Sequence, residues 1–201
     1  LGVADELDYQ KQQRTRELLR DLENCVINGA APVANPQGST SVRRTMRGIL
    51  SSLSTHIFKP GVDDFPSDTT LTEAQLNEAL RRIWKDSSGN VDLILVGGNE
   101  KRAINQFVAA TRQFTSQAEN FRNLISTYES DFGVCQVVLS RWVPSGCVLL
   151  LDRSRIEVMP LAGRSFQYRP LAVSGGSQSG RRVGEYTRGL RNEWARGAIR
   201  L

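Results

Sequence analysis

Residues 91–98, VDLILVGG, constrain the fold more than any other segment of this chain. They form a compact apolar run, entered through a Gly89-Asn90 turn and closed by two glycines. That pattern predicts a buried strand. Behind it, Asn99 is placed to cap a helix with Ala103, Ile104, Phe107, Val108, Ala110 and Thr111 on its inner faces, running to about residue 117. In front of it, Thr70 followed three residues later by Glu73 has the spacing of a capping box. Leu71, Leu76, Leu80, Ile83 and Trp84 then predict a helix to about Lys85. The centre of the chain is therefore a helix, a buried strand and a second helix.

The flanks differ in texture. Residues 4–28 contain no Pro or Gly, carry Asp5 and Glu6 where a helix start favours negative charge, and are followed by Gly29 as a stop signal. They predict one helix of about seven turns. Its apolar positions are sparse until Leu18, Leu19, Leu22, Cys25 and Val26, so residues 11–16 must face solvent or a partner. Residues 30–41 read as a loop, 42–55 as a short helix and 59–68, KPGVDDFPSD, as a second loop. After residue 121 short β-rich runs separated by Gly or Pro predict an antiparallel meander, with Asp131-Phe132-Gly133 as a hairpin turn. Residues 174–182 read as a flexible basic loop. In the last stretch, Tyr186, Leu190 and Trp194 suit a helix or one face of a strand; Thr187 and Gly189 favour a long strand. With no internal repeat and no domain-length linker, the order of elements predicts an α+β fold.

Composition narrows the setting. The 201 residues, 39% hydrophobic and 23% charged, suffice for one sizeable core or two joined lobes. Lys and Arg number 26 against 21 Asp and Glu, a net charge of +5 that favours anionic surroundings without specifying nucleic acid. Cys25, Cys135 and Cys147 are too few and scattered for a disulfide framework, so a reducing cytoplasm is the simplest setting. No apolar run approaches the roughly 20 residues that cross a bilayer, and the amino end has no signal-peptide core. A first residue of Leu reads as a processed chain or a fragment.

No constellation of catalytic residues is assigned. His56 is the sole histidine and has no nucleophile signature around it, so it reads as a surface or interface residue. The Val96-Gly97-Gly98-Asn99 turn has the right context to hold a phosphate but lacks the spacing of a nucleotide loop, and Lys101 alone does not supply it. Asp63, Asp64 and Asp68 lack ligand spacing. No metal and no cofactor is expected. The basic concentrations are Lys11 and Arg14 on the first helix, Arg43, Arg44 and Arg47, and Arg181, Arg182 and Arg188, with Arg191, Arg196 and Arg200 beyond. Arginine forks suit carboxylates across a subunit interface and phosphates alike. These residues are the candidate subunit-interface or phosphate contacts.

Four segments in order, ADELDYQKQQRTRELLRDLENCVING, LTEAQLNEALRRIWKDSSGNVDLILVGGNEKRAINQF, ESDFGVCQVVLSRWVPSGCVLLLDRSRIEVMPL and GEYTRGLRNEWARGAIRL, resemble the tailed-phage major capsid protein family with the Johnson fold. The likeness is to the branch with a basic helix ahead of the αβα unit. It implies a spine helix and short helix in a peripheral-type domain over 1–67, an axial-type α/β domain over 68–173, and a loop with a return strand to the peripheral sheet over 174–201. Family members begin with an amino-terminal arm and an extended loop, and this sequence starts where the spine would start. The expected function is a structural subunit, not an enzyme, that self-assembles into the shell of a tailed phage or prophage. The expected location is the virion capsid, with assembly in the host cytoplasm. The expected partners are copies of itself, with a scaffolding protein and packaged DNA in weak non-specific contact. The isolated chain is expected to be a monomer or weak oligomer. The alternatives are a nucleic-acid-binding protein using its carboxy-terminal arginines and a hydrolase or transferase using His56 or the 96–101 turn.

Overall fold

The structure, a computed structural model, describes residues 6–30, 38–42, 44–111, 127–171, 175 and 179–201, with the side chains of 108–111 left outside the description. Its chain divides into two compact units. One comprises Ser52–Ile156 with Leu190–Leu201, and the other Leu1–Ser51 with Glu157–Gly189.

The first unit is built on a six-stranded sheet. Its strands are β1 (Ile57–Phe58), β2 (Leu93–Val96), β3 (Thr127–Ser130), β4 (Gly133–Leu139), β5 (Cys147–Leu151) and β10 (Gly197–Arg200), in the order β1-β10-β5-β2-β4-β3. The apolar run of residues 91–98 does supply the buried strand β2, which lies between β4 (parallel) and β5 (antiparallel). Register sets a layer of aliphatic side chains across these strands. Ile94 is opposite Val137 and Leu150, Val96 is opposite Val148, and Val148 is opposite Ile199. Helix α3 (Glu73–Asp86) adds Leu76, Ala79, Leu80 and Ile83 to the same cluster, and helix α4 (Gly98–Thr111) adds Ile104, with Ala103 and Phe107 partly buried against it. Every side chain of β5 is buried, which explains why CVLLL shows no polar alternation.

The second unit contains helix α1 (Glu6–Asn28), a single turn α2 (Ile49–Ser52), and four strands. Strands β6 (Ile156–Pro160) and β9 (Tyr186–Leu190) form one two-stranded sheet, and β7 (Gln167–Pro170) and β8 (Gly180–Val183) form another, antiparallel. The end of α1 is fixed by a close backbone crossing: Gly48 N donates to Gly29 O at 2.5 Å, and Gly29 N to Cys25 O at 3.0 Å. A Cβ on Gly29 would meet Met46 O at 2.2 Å, and one on Gly48 would meet Gly29 N at 2.4 Å, so only glycine fits either side of the crossing.

That crossing corrects the predicted 42–55 helix. Residues 44–48 have no regular structure where the chain passes α1, and of the described residues in this stretch only Ile49–Ser52 are helical. The capping box also shifts by two residues, because Gln75 supplies both a donor and an acceptor that Glu73 does not. Thr72 Oγ1 accepts from Gln75 N at 3.4 Å, Thr72 N donates to Gln75 Oε1 at 3.2 Å, and Gln75 Nε2 donates to Asp68 O at 2.6 Å. The helix after β2 begins at Gly98, so Asn99 lies inside its first turn; the predicted continuation over 112–117 lies outside the described residues.

The predicted meander is only partly present. β3 and β4 form a hairpin through Asp131-Phe132, with Gly133 at φ 138°, but β2 then inserts between β4 and β5. The carboxy-terminal stretch is not one strand. Asn192, at φ 50°, and a 3-10 turn at Glu193–Ala195 separate β9 from β10, which pair in different sheets. Much of the expected 174–182 loop lies outside the described residues, and its end forms β8 instead.

Candidate functional site

The basic residues of α1 and β8 converge on one groove. Glu6, Leu7, Gln10, Lys11 and Arg14 line one wall, and Tyr168, Ser179, Gly180 and Arg182 line the other, enclosing about 490 Å3. Helical spacing puts positions 7, 10, 11 and 14 on one face of α1, and strand alternation turns Arg182 in and leaves Arg181 exposed. Lys11 Nζ stands 4.9 Å above the Tyr168 ring and also pairs with Asp8 at 2.8 Å. The lysine beside it holds the Asp8 carboxyl below the usual carboxylate range. Arg14 pairs with Glu17 at 2.6 Å. Arg182 is different: its Nε is denied solvent and has no hydrogen-bond partner among the described residues.

The remaining candidates are dispersed. Arg43 lies outside the described residues, and Arg44 is exposed. Arg47 is held at the backbone, its Nε and Nη2 donating to Ser51 O at 3.0 and 2.7 Å, while Arg188 Nε donates to Arg47 O. The carboxy-terminal arginines do not form one basic stripe: Arg196 is buried, with burial lowering its pKa, while Arg191 and Arg200 are exposed.

His56 corrects a sequence expectation. It is 6% exposed, stacked on Phe58, edge-on to Trp194, and its Nε2 lies 3.3 Å from Asp86 Oδ2. It is a core residue beside β1, not a surface one. The turn before α4 is occupied by its own side chain: Glu100 is 5% exposed, its Oε1 accepts from Gly146 N at 2.8 Å, and a Cβ on Gly97 would meet its Oε2 at 2.7 Å. A carboxylate there disfavours a phosphate on the same backbone amides. Burial pushes the Cys135 and Cys147 thiols up to about 11, which suits packing and opposes nucleophilic use. Among the described residues no cluster of His, Cys, Asp or Glu is arranged to hold a metal, and no helix is long and apolar enough to cross a membrane.

Sequence reasoning missed Tyr168, which underlies Lys11 from 157 positions away by sequence; no local pattern signals such a contact. It also missed Glu193, whose Oε1 accepts from Ser54 N and Oγ, both at 2.6 Å, and from Thr55 N at 3.1 Å, hydrogen bonds that hold its carboxyl below the usual range.

The chain is similar to the holo-SrpI encapsulin complex from Synechococcus elongatus PCC 7942, at TM-score 0.64 and 14% identity over 99% of this chain and 66% of that one. It is similar to a virus-like particle from Pyrococcus furiosus, at TM-score 0.52 and 16% identity over 90% and 62%. It also resembles the satellite phage P4 procapsid that includes the size determination protein Sid, at TM-score 0.54 and 10% identity over 94% and 63%. These likenesses establish an α+β fold of the capsid and encapsulin type. The chain spans slightly under two thirds of those structures. No curated protein matches it in sequence. The SU10 major capsid protein family matches residues 1–201, and the chain belongs to that family.

Proposed function

We propose that this chain is the structural subunit of a virion shell, built to associate with copies of itself and not to catalyse a reaction. The observation that carries this reading is an imbalance of burial. Among the described residues of the α1 unit, only Ile27 and Ile49 are buried hydrophobics, whereas Tyr9, Leu19, Val158, Met159, Leu161 and Leu171 are exposed. A two-stranded ribbon is marginal by itself, so apolar surface of this kind gains stability when neighbouring copies cover it. Family membership over all 201 residues supports the same reading.

In this reading the α1 unit is the peripheral-type domain and the unit of Ser52–Ile156 with Leu190–Leu201 is the axial-type domain. Lys11, Arg14, Arg182 and the exposed Arg44 and Arg181 face neighbouring subunits. Assembly takes place in the host cytoplasm, with scaffold and DNA contacts weak and non-specific. The test is electron microscopy of particles from cells expressing the full-length polypeptide. Closed shells are expected, and a full-length protein that stays monomeric at high concentration contradicts the reading. Residues 1–201 in dilute solution are expected to sediment as a monomer or weak oligomer.

A further inference from the structure

The Arg182 groove has a complementary feature elsewhere on the same molecule. Residues 61–68 form a tight knuckle: Phe65 N donates to Val62 O at 3.0 Å and Gly61 N to Phe65 O at 3.1 Å. Phe65 anchors it, 3% exposed and stacked at 5.3 Å on Phe58. This anchoring projects Val62, Asp63 and Asp64 into solvent. Val62 is 48% exposed, and the two aspartates sit in the left-handed region, at φ 52° and 56°. Consecutive strained residues persist only where the surrounding structure over-determines them, and here they hold two carboxylates forward on a fixed tip.

We propose that this knuckle of one copy seats in the Arg182 groove of a second copy. The inference rests on the shell-subunit reading and names one of its contacts. The groove offers apolar wall from Leu7 and the Tyr168 ring for Val62, and the Arg182 guanidinium for a carboxylate of Asp63 or Asp64. Lys11 and Arg14 already pair with Asp8 and Glu17, whereas Arg182 has no ion-pair partner among the described residues. A carboxylate suits the guanidinium, since a charge-assisted arginine–carboxylate bond is the strong kind. The knuckle is already ordered, so docking it sacrifices little conformational freedom. Knuckle and groove are different surfaces, which makes the contact heterologous and able to propagate from copy to copy.

The test is cross-linking between two populations of the full-length protein, both carrying Cys25→Ser. One carries Val62→Cys on the knuckle and the other Ser179→Cys at the groove rim. They are mixed before assembly and treated with a short bis-maleimide. Heterodimers are expected from particles, falling by more than about tenfold when Arg182→Glu is added to the groove population, and likewise when Asp63→Asn and Asp64→Asn are added to the knuckle population. Asn tolerates the left-handed backbone, so the second pair reads charge without disturbing the turn. Particles that form without the cross-link, or with a cross-link indifferent to both changes, overturn the contact and leave the shell reading standing. Duplex-DNA binding that disappears with Arg182→Glu, in particles without the cross-link, assigns the groove to phosphate and overturns the contact. Failure of every variant and the parent to assemble overturns both readings.

Discussion

The two units of this chain gain their order in different ways. In the sheet unit, Leu76, Ile83, Ile94, Leu150 and Ile199 are all at or near zero exposure, and two helices complete one continuous cluster. The α1 unit has a 23-residue helix and two ribbons but only Ile27 and Ile49 as buried hydrophobics among its described residues. Helix α1 relies instead on local polar pairs, Lys11 with Asp8 and Arg14 with Glu17, which are solvent-exposed and contribute little. A subunit designed to stand alone would bury both units. In the proposed reading, the sheet unit holds its own core and the α1 unit gains stability from the copies that pack against it.

The contrast can be sharpened at several levels. Thiol labelling gives the widest separation: Cys25 is exposed, while Cys135 and Cys147 are buried in the sheet unit. A thiol reagent is expected to modify one cysteine quickly in the native chain and the other two only on unfolding; equal rates would mean the sheet core is loose. Leu150→Ala, at a fully buried site, is expected to cost about 2–5 kcal/mol in urea unfolding, against no more than about 0.5 kcal/mol for Leu19→Ala on exposed α1. Similar losses at both would break the comparison. Thr72→Ala, which removes the cap of α3, is expected to cost about 1 kcal/mol by the same measurement.

The smallest effect is electrostatic. Hydrogen bonds and charge from Arg81, aided by Arg82, hold the Glu78 carboxyl down at about 2 from its usual 4.5. A depressed folded pKa means the contribution is fully present above pH 4.5, fades as the pH falls, and is gone below about 2. Because the pair is on the surface, Glu78→Gln is expected to cost less than about 1 kcal/mol at pH 7 and nothing near pH 2, measured by unfolding at each pH.

The sheet unit was also the more legible half in sequence. VDLILVGG was the best buried-strand signal in the sequence, and the α3 stripe of Leu76, Leu80 and Ile83 repeats at helical spacing. Long-range pairing was hidden. That β2 separates β4 from β5 follows from register and burial across more than 40 residues, and no turn between neighbours records it. The 42–55 helix shrank to Ile49–Ser52, and the Gly29–Gly48 crossing beside it joins residues too far apart in sequence for a local pattern to record. His56 showed no periodic signal because its burial comes from Phe58 and Trp194, the latter at the far end of the chain. At the groove, the basic residues were visible but their convergence was not, since it depends on Tyr168 and on β8 alternating Arg181 outward and Arg182 inward.

The central claim is that the α1 unit acquires its stability from neighbouring copies. Amide hydrogen exchange on the full-length protein, free and in assembled particles, tests it most directly. The account predicts slow exchange in β2 and β5 in both states, and exchange in α1 and β6–β9 that is fast in the free subunit and slows in the particle. Protection of α1 and its ribbons already equal to that of β2 and β5 in the free subunit would contradict it.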